Sequence, residues 1–95
     1  MSAGDDIAAS ARPHLPRGVR LKRDEARGGY VLLAPERIVR ADPVAAAVLE
    51  RCDGVRTLTE IIDDLATTYR GERSRIEADV RRLLVELVAK KMVAL

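Results

Sequence analysis

Ninety-five residues, 47% hydrophobic and 34% charged, suffice for one modest core and are too few for two, so the chain reads as a single unit. A net charge of only +2, two tyrosines and no phenylalanine or tryptophan argue against a base-stacking platform for single-stranded nucleic acid. One cysteine excludes an internal disulfide, and no apolar run nears the roughly 20 residues of a membrane span, so a cytoplasmic protein with no membrane role is expected.

Residues 1–17 begin "MSAGDDIAAS" and carry two prolines around His14. They show no sustained period and neither the basic start nor the apolar run of a signal peptide, so a flexible arm or linker remnant is expected, followed by a domain over 18–95. Val19 and Leu21 alternate with Arg20 and Lys22 as in a half-buried strand, and "DEARGG" supplies a hairpin loop. Tyr30–Leu33 is a denser apolar run, Pro35 sets a turn, and Arg37–Arg40 leaves it. These three segments predict an antiparallel β-meander with Tyr30–Leu33 in the centre.

Asp42–Pro43 is a helix start, the aspartate accepting from orphan amides and the proline sitting where its missing N–H is harmless. The first helix is expected over 43–52, ended by Asp53–Gly54. Thr57 with Glu60 reads as a capping box opening a helix with Leu58, Ile61, Ile62, Leu65 and Tyr69 on one face. Ser74 with Glu77 reads as a second, opening a longer helix with Ile76, Val80, Leu83, Leu84 and Leu87 inward. The expected fold is α+β and winged-helix-like: a three-stranded antiparallel β-meander followed by three α-helices. On the last helix, Ala78, Arg81, Val85, Val88 and Met92 fall outside the main stripe as a shallow, partly apolar flank.

Charge is unevenly spread. Residues 12–40 hold eight basic and three acidic side chains, residues 42–64 two and six, and residues 70–91 seven and four. If the basic ends meet, they favour an acidic ligand. Chemistry is sparse: His14 and Cys52 stand alone, and the adjacent Asp63 and Asp64 point apart on a helix. No metal set, nucleophile–base pair or cofactor motif can be assembled, so neither catalysis nor a cofactor is expected. A binding module remains. A winged-helix DNA reader using Arg73, Arg75, Arg81 and Arg82 is the alternative, disfavoured by Glu77, Asp79 and Glu86 on the same helix.

Residues 17–95 resemble the PqqD family of pyrroloquinoline quinone (PQQ) biosynthesis, in "LLAPER" (32–37), "CDG" (52–54) with "RTLTEI" after it, and "IEADV" with "LLVEL" in the last helix. The chain departs from the family pattern in "KKMVAL", where a glycine usually precedes the final apolar pair. The resemblance implies a peptide chaperone, a RiPP recognition element rather than an enzyme. Such a protein binds the ribosomally made precursor PqqA by β-strand addition and presents it to the radical S-adenosylmethionine (SAM) enzyme PqqE. It also implies a possible fusion to, or association with, PqqC, in which residues 1–16 would be linker.

The two readings meet at the third strand, since the last strand of a meander is an edge whose backbone groups an extended peptide can complete. The expected site is the backbone of Arg37, Ile38, Val39, Arg40 and Ala41, with Ile38 or Val39 as one wall and Arg81, Leu84, Val85 and Val88 as the other. Arg40 and Arg81 would attract leader carboxylates. An open edge allows a monomer or a weak dimer, and the acidic first two helices are open to a second contact, with the modifying enzyme.

Overall fold

The computed structural model describes residues 7–95. Strands β1 (Arg20–Arg23), β2 (Tyr30–Ala34) and β3 (Arg37–Ala41) precede helices α1 (Pro43–Glu50), α2 (Leu58–Tyr69) and α3 (Arg73–Ala89), the expected α+β order. The sheet order is β1-β2-β3, antiparallel throughout, with Leu32 opposite Leu21 on one side and Val39 on the other. Asp24 closes the first hairpin. Its Oδ1 accepts from the N–H groups of Ala26 and Arg27 at 3.2 Å, and its Oδ2 accepts from Arg40 Nη1 at 3.1 Å. These bonds, that from Arg27 first, hold the carboxyl below its ordinary pKa.

Asp42 caps α1 as expected, Oδ1 accepting from Ala45 N at 2.7 Å, with proline in the first turn. The helix ends at Glu50, two residues short of the expected 52. Beyond it, Asp53 Oδ1 accepts from the amides of Val55 and Arg56, both at 2.9 Å, a local turn that competes with further helix. The Thr57–Glu60 capping box on α2 is complete in both directions. The one expected at Ser74 and Glu77 does not form: α3 starts at Arg73 with Glu72 at its N-cap, two residues before the expected cap, and Ser74 Oγ donates to Glu72. Glu77 is held instead by Arg73 and Arg81, at spacings of four, which remove its carboxylate from the helix start.

One core gathers Leu32 and Ala41 from the sheet, Ala46–Leu49 from α1, Leu58, Ile61, Ile62 and Leu65 from α2, and Val80, Leu84 and Leu87 from α3. Residues 7–17 add to it, where an arm without structure was expected. Ile7 is 4% exposed, and Ala11 and Leu15 pack against the same core. The backbone explains why a segment with no period stays put. Ala11 O accepts from Leu58 N at 2.8 Å and Ala9 O from Thr59 N at 3.2 Å, so two orphan amides at the start of α2 find carbonyls here. His14 exchanges both backbone bonds with Ala94, at 2.9 and 2.8 Å, stitching the two ends together. The part of the expected arm at residues 1–6 lies outside the described residues.

The departure at "KKMVAL" has a structural counterpart. Lys91 has φ 60°, its N–H donates to Val88 O at 3.0 Å, and Met92 N–H donates to Leu87 O at 2.9 Å. This is a Schellman cap with lysine in the left-handed position that glycine occupies without strain. Lys91→Gly is therefore expected to raise stability by about 0.5–1 kcal/mol, read as a shift in denaturation midpoint at unchanged slope.

Candidate functional site

The direction of each backbone group on β3 follows from one bond at the first hairpin. Asp24 N–H donates to Gly29 O at 2.9 Å, which places Arg23↔Tyr30 between two hydrogen-bonded pairs. Alternation along an antiparallel strand then turns Tyr30, Leu32 and Ala34 toward β3, where they meet Ala41, Val39 and Arg37. The N–H and C=O of Ile38 and Arg40 therefore face outward from β3. Among the described residues the sheet adds no strand beyond β3, so these groups form a free edge. Around them, Ile38 is 72% exposed, Arg37 and Arg40 are exposed, Val39 is half-buried and Ala41 is buried.

Two residues past this edge a pocket begins. It is lined by Pro43, Val44, Ala47 and Val48 of α1, Leu65 and Tyr69 of α2, and Ile76, Asp79 and Val80 of α3, and encloses about 270 Å³. Apart from Asp79 and the Tyr69 hydroxyl the lining side chains are apolar, and Val44 and Tyr69 are exposed beside it. Such a pocket takes one or two apolar side chains and is small for a cofactor.

The α3 residues expected as the second wall are placed differently. Leu84 is fully buried in the core and offers nothing to a ligand. Arg81 is half-buried; its Nη1 donates to Ile7 O at 2.7 Å and its Nε pairs with Glu77 at 2.9 Å. The flank that periodicity leaves without a partner thus meets the chain's own N-terminal segment at Arg81. Val85 and Val88 are half-buried and pack against the core. The pocket uses Ile76, Asp79 and Val80, whose mean direction lies about 140° around α3 from the expected set. Periodicity names a buried stripe, and cannot say that its N-terminal end, with Tyr69 and Val44, borders an opening.

Electrostatics favour a neutral helix over a basic ridge. Arg73 pairs with Asp63 and Glu77, Arg82 with Asp79, and Lys90 with Glu86. On β3, Arg37 has no ion pair among the described residues, and Arg40 has its charge partly balanced by Asp24.

Cys52 is buried and donates its thiol to Val48 O at 3.3 Å. Burial first, and Asp53 second, push the thiol up to about 12. It is expected to stay unmodified by a thiol reagent such as DTNB at pH 8 and to react fully once denaturant is added. Among the described residues no group of three His, Cys, Asp or Glu side chains is placed to hold a metal ion, and no helix is long and apolar enough to cross a membrane.

The family model described as "Coenzyme PQQ synthesis protein D (PqqD)" matches residues 29–93. The PqqA binding protein of Rhodopseudomonas palustris (strain BisB5) is 43% identical over 84 residues, 88% of this chain and 82% of that protein. The PqqA binding protein of Xanthomonas axonopodis pv. citri (strain 306) is 44% identical over 89 residues, 94% of this chain and 97% of that protein. The solution structure of the PqqD truncation of Methylobacterium extorquens PqqCD, described as a functional, stand-alone RiPP recognition element, aligns with a TM-score of 0.83 at 40% identity, covering 99% of this chain and 100% of that one. The crystal structure of PqqD from Xanthomonas campestris aligns with a TM-score of 0.60 at 42% identity, covering 94% and 99%.

Proposed function

The chain belongs to the PqqD family, and from that premise we propose that it is the peptide chaperone of PQQ biosynthesis, binding the precursor PqqA and presenting it to the radical SAM enzyme PqqE. The observation that carries this reading is the free edge of β3, where the backbone groups of Ile38 and Arg40 face outward in the strand that leads into pocket-lining α1. An extended leader pairs with that edge, and alternate side chains choose the sequence. One apolar leader side chain fills the pocket between Val44, Tyr69 and Ile76. Arg37 and Arg40 favour carboxylates on the leader. β1 is also an edge, but it is β3 that leads directly into α1, whose Pro43, Val44, Ala47 and Val48 line the pocket.

The protein adds no reacting group. It raises the effective concentration of the peptide at the enzyme, which is catalysis by proximity. Association with PqqC belongs to the same reading, by analogy with the relative whose PqqD part comes from a PqqCD chain. Ion pairing of Arg73, Arg81 and Arg82 on α3 weighs against the DNA alternative, because duplex binding needs free positive charge to release counterions.

The test is a titration of ¹⁵N-labelled protein with PqqA. Amide shifts are expected at Ile38–Ala41, Val44, Tyr69, Ile76 and Val80. Shifts confined to β1 and residues 7–17 would overturn the groove.

A further inference from the structure

The face of the sheet that points away from the helices is unaccounted for by peptide binding. Strand register places Arg20, Leu33 and Ile38 in one row across the three strands, and Lys22, Val31 and Arg40 in the next. Leu32 and Ala41, on the opposite face, are buried, and Leu21, Tyr30 and Val39 pack on the core with them. Val31, Leu33 and Ile38 do not pack on the core, so the sheet carries a second apolar surface outside the hydrophobic centre. All six side chains of the two rows are aliphatic or cationic. Arg20 and Lys22 are exposed and have no ion pair among the described residues. A shallow depression at one end is lined by Lys22, Arg23, Asp24, Glu25, Val31 and Leu33.

We infer that this face docks a folded protein whose own surface is an apolar patch bordered by carboxylates, and that this protein is the enzyme that modifies the bound peptide. The aliphatic centre excludes water as a protein partner requires, and the cations at its margin select an acidic border and speed encounter. Nucleic acid fits poorly, since neither row of this face holds an aromatic side chain to stack on a base. A second copy fits poorly too: a two-fold contact through this face sets Arg20, Lys22 and Arg40 against the same cations. Ile38 and Arg40 belong both to this face and to the β3 edge. On the strand-addition reading, the peptide lies along the border of the docked enzyme. This places the second contact on the sheet, where charge patterning alone had left it to α1 and α2.

The experiment measures the affinity of Arg20→Glu/Lys22→Glu protein for PqqE and, separately, for PqqA. PqqE binding is expected to weaken at least tenfold and PqqA binding to change less than threefold, with the thermal melt unchanged. Unchanged PqqE affinity overturns the inference, also if the variant alters self-association or DNA binding. If the double reversal melts early, Arg20→Gln/Lys22→Gln and amide mapping of wild-type protein with PqqE replace it. Shifts at Lys22, Val31 and Leu33 support the face; shifts confined to α1 and α2 overturn it. PqqA shifts away from Ile38 and Arg40, with the PqqE effect intact, would sink strand addition and leave this face standing.

Discussion

Replacing Ile38 by proline is expected to weaken PqqA binding at least about tenfold, ~1.4 kcal/mol, while the domain stays folded. Proline removes one N–H, and at Ile38 that N–H faces away from β2, so no bond of the ladder is lost. A paired leader loses its donor there and keeps a desolvated carbonyl unsatisfied, a cost of about 1–3 kcal/mol. Ile38→Thr separates backbone from side chain, because threonine keeps the N–H and the strand preference. It should cost less than proline; an equal loss would place the energy in the isoleucine side chain and remove strand addition from the account. Val39→Pro is the contrast. Its N–H points at Leu32, so proline there breaks the β2–β3 ladder and should unfold the sheet. Isothermal titration with circular dichroism on each variant reads both effects.

Leu84→Ala is expected to destabilise the protein by about 2–5 kcal/mol, with PqqA affinity of the folded fraction unchanged. Leu84 is 0% exposed and sits among Val80, Leu87 and the buried side chains of α2, so truncation leaves a cavity and uncovers no contact surface. In a domain of this size such a loss lowers the melting temperature by roughly 8–40 °C, at 4–8 °C per kcal/mol. Denaturant melts beside a peptide titration at low temperature decide between this and the sequence-based placement of Leu84 in the peptide groove. Selective loss of affinity at wild-type stability would restore that placement.

These two residues mark the boundary of what the sequence shows about the site. Ile38 was legible: an apolar residue between arginines in the last strand of a meander stands on an edge, and edge geometry follows from alternation alone. Leu84 stands in the inward stripe by helix phase, and the expected groove wall nevertheless takes it in beside Arg81, Val85 and Val88. That phase is continuous round a helix with apolar residues on more than one side, and nothing local distinguishes a face that meets a neighbour from one that meets a ligand. Val44 and Tyr69 carry no signal by themselves; only the approach of α1 to α2, and of α2 to α3, sets them on one opening.

By itself the sequence determined the element order and most boundaries, because these depend on interactions a few residues long. Asp42 capping α1 and Thr57 with Glu60 capping α2 are bonds between residues three apart. The dense apolar run of β2, with Leu32 buried at its centre, is the same kind of local signal. Tertiary structure alone decided that residues 7–17 join the core, because carbonyls of Ala9 and Ala11 meet the orphan amides of α2 across some fifty residues, and a backbone carbonyl leaves no mark in side-chain pattern. It decided that Arg81 serves Ile7 O. It also decided which part of α3 borders the pocket, since periodicity specifies that a stripe is buried and leaves the partner to packing.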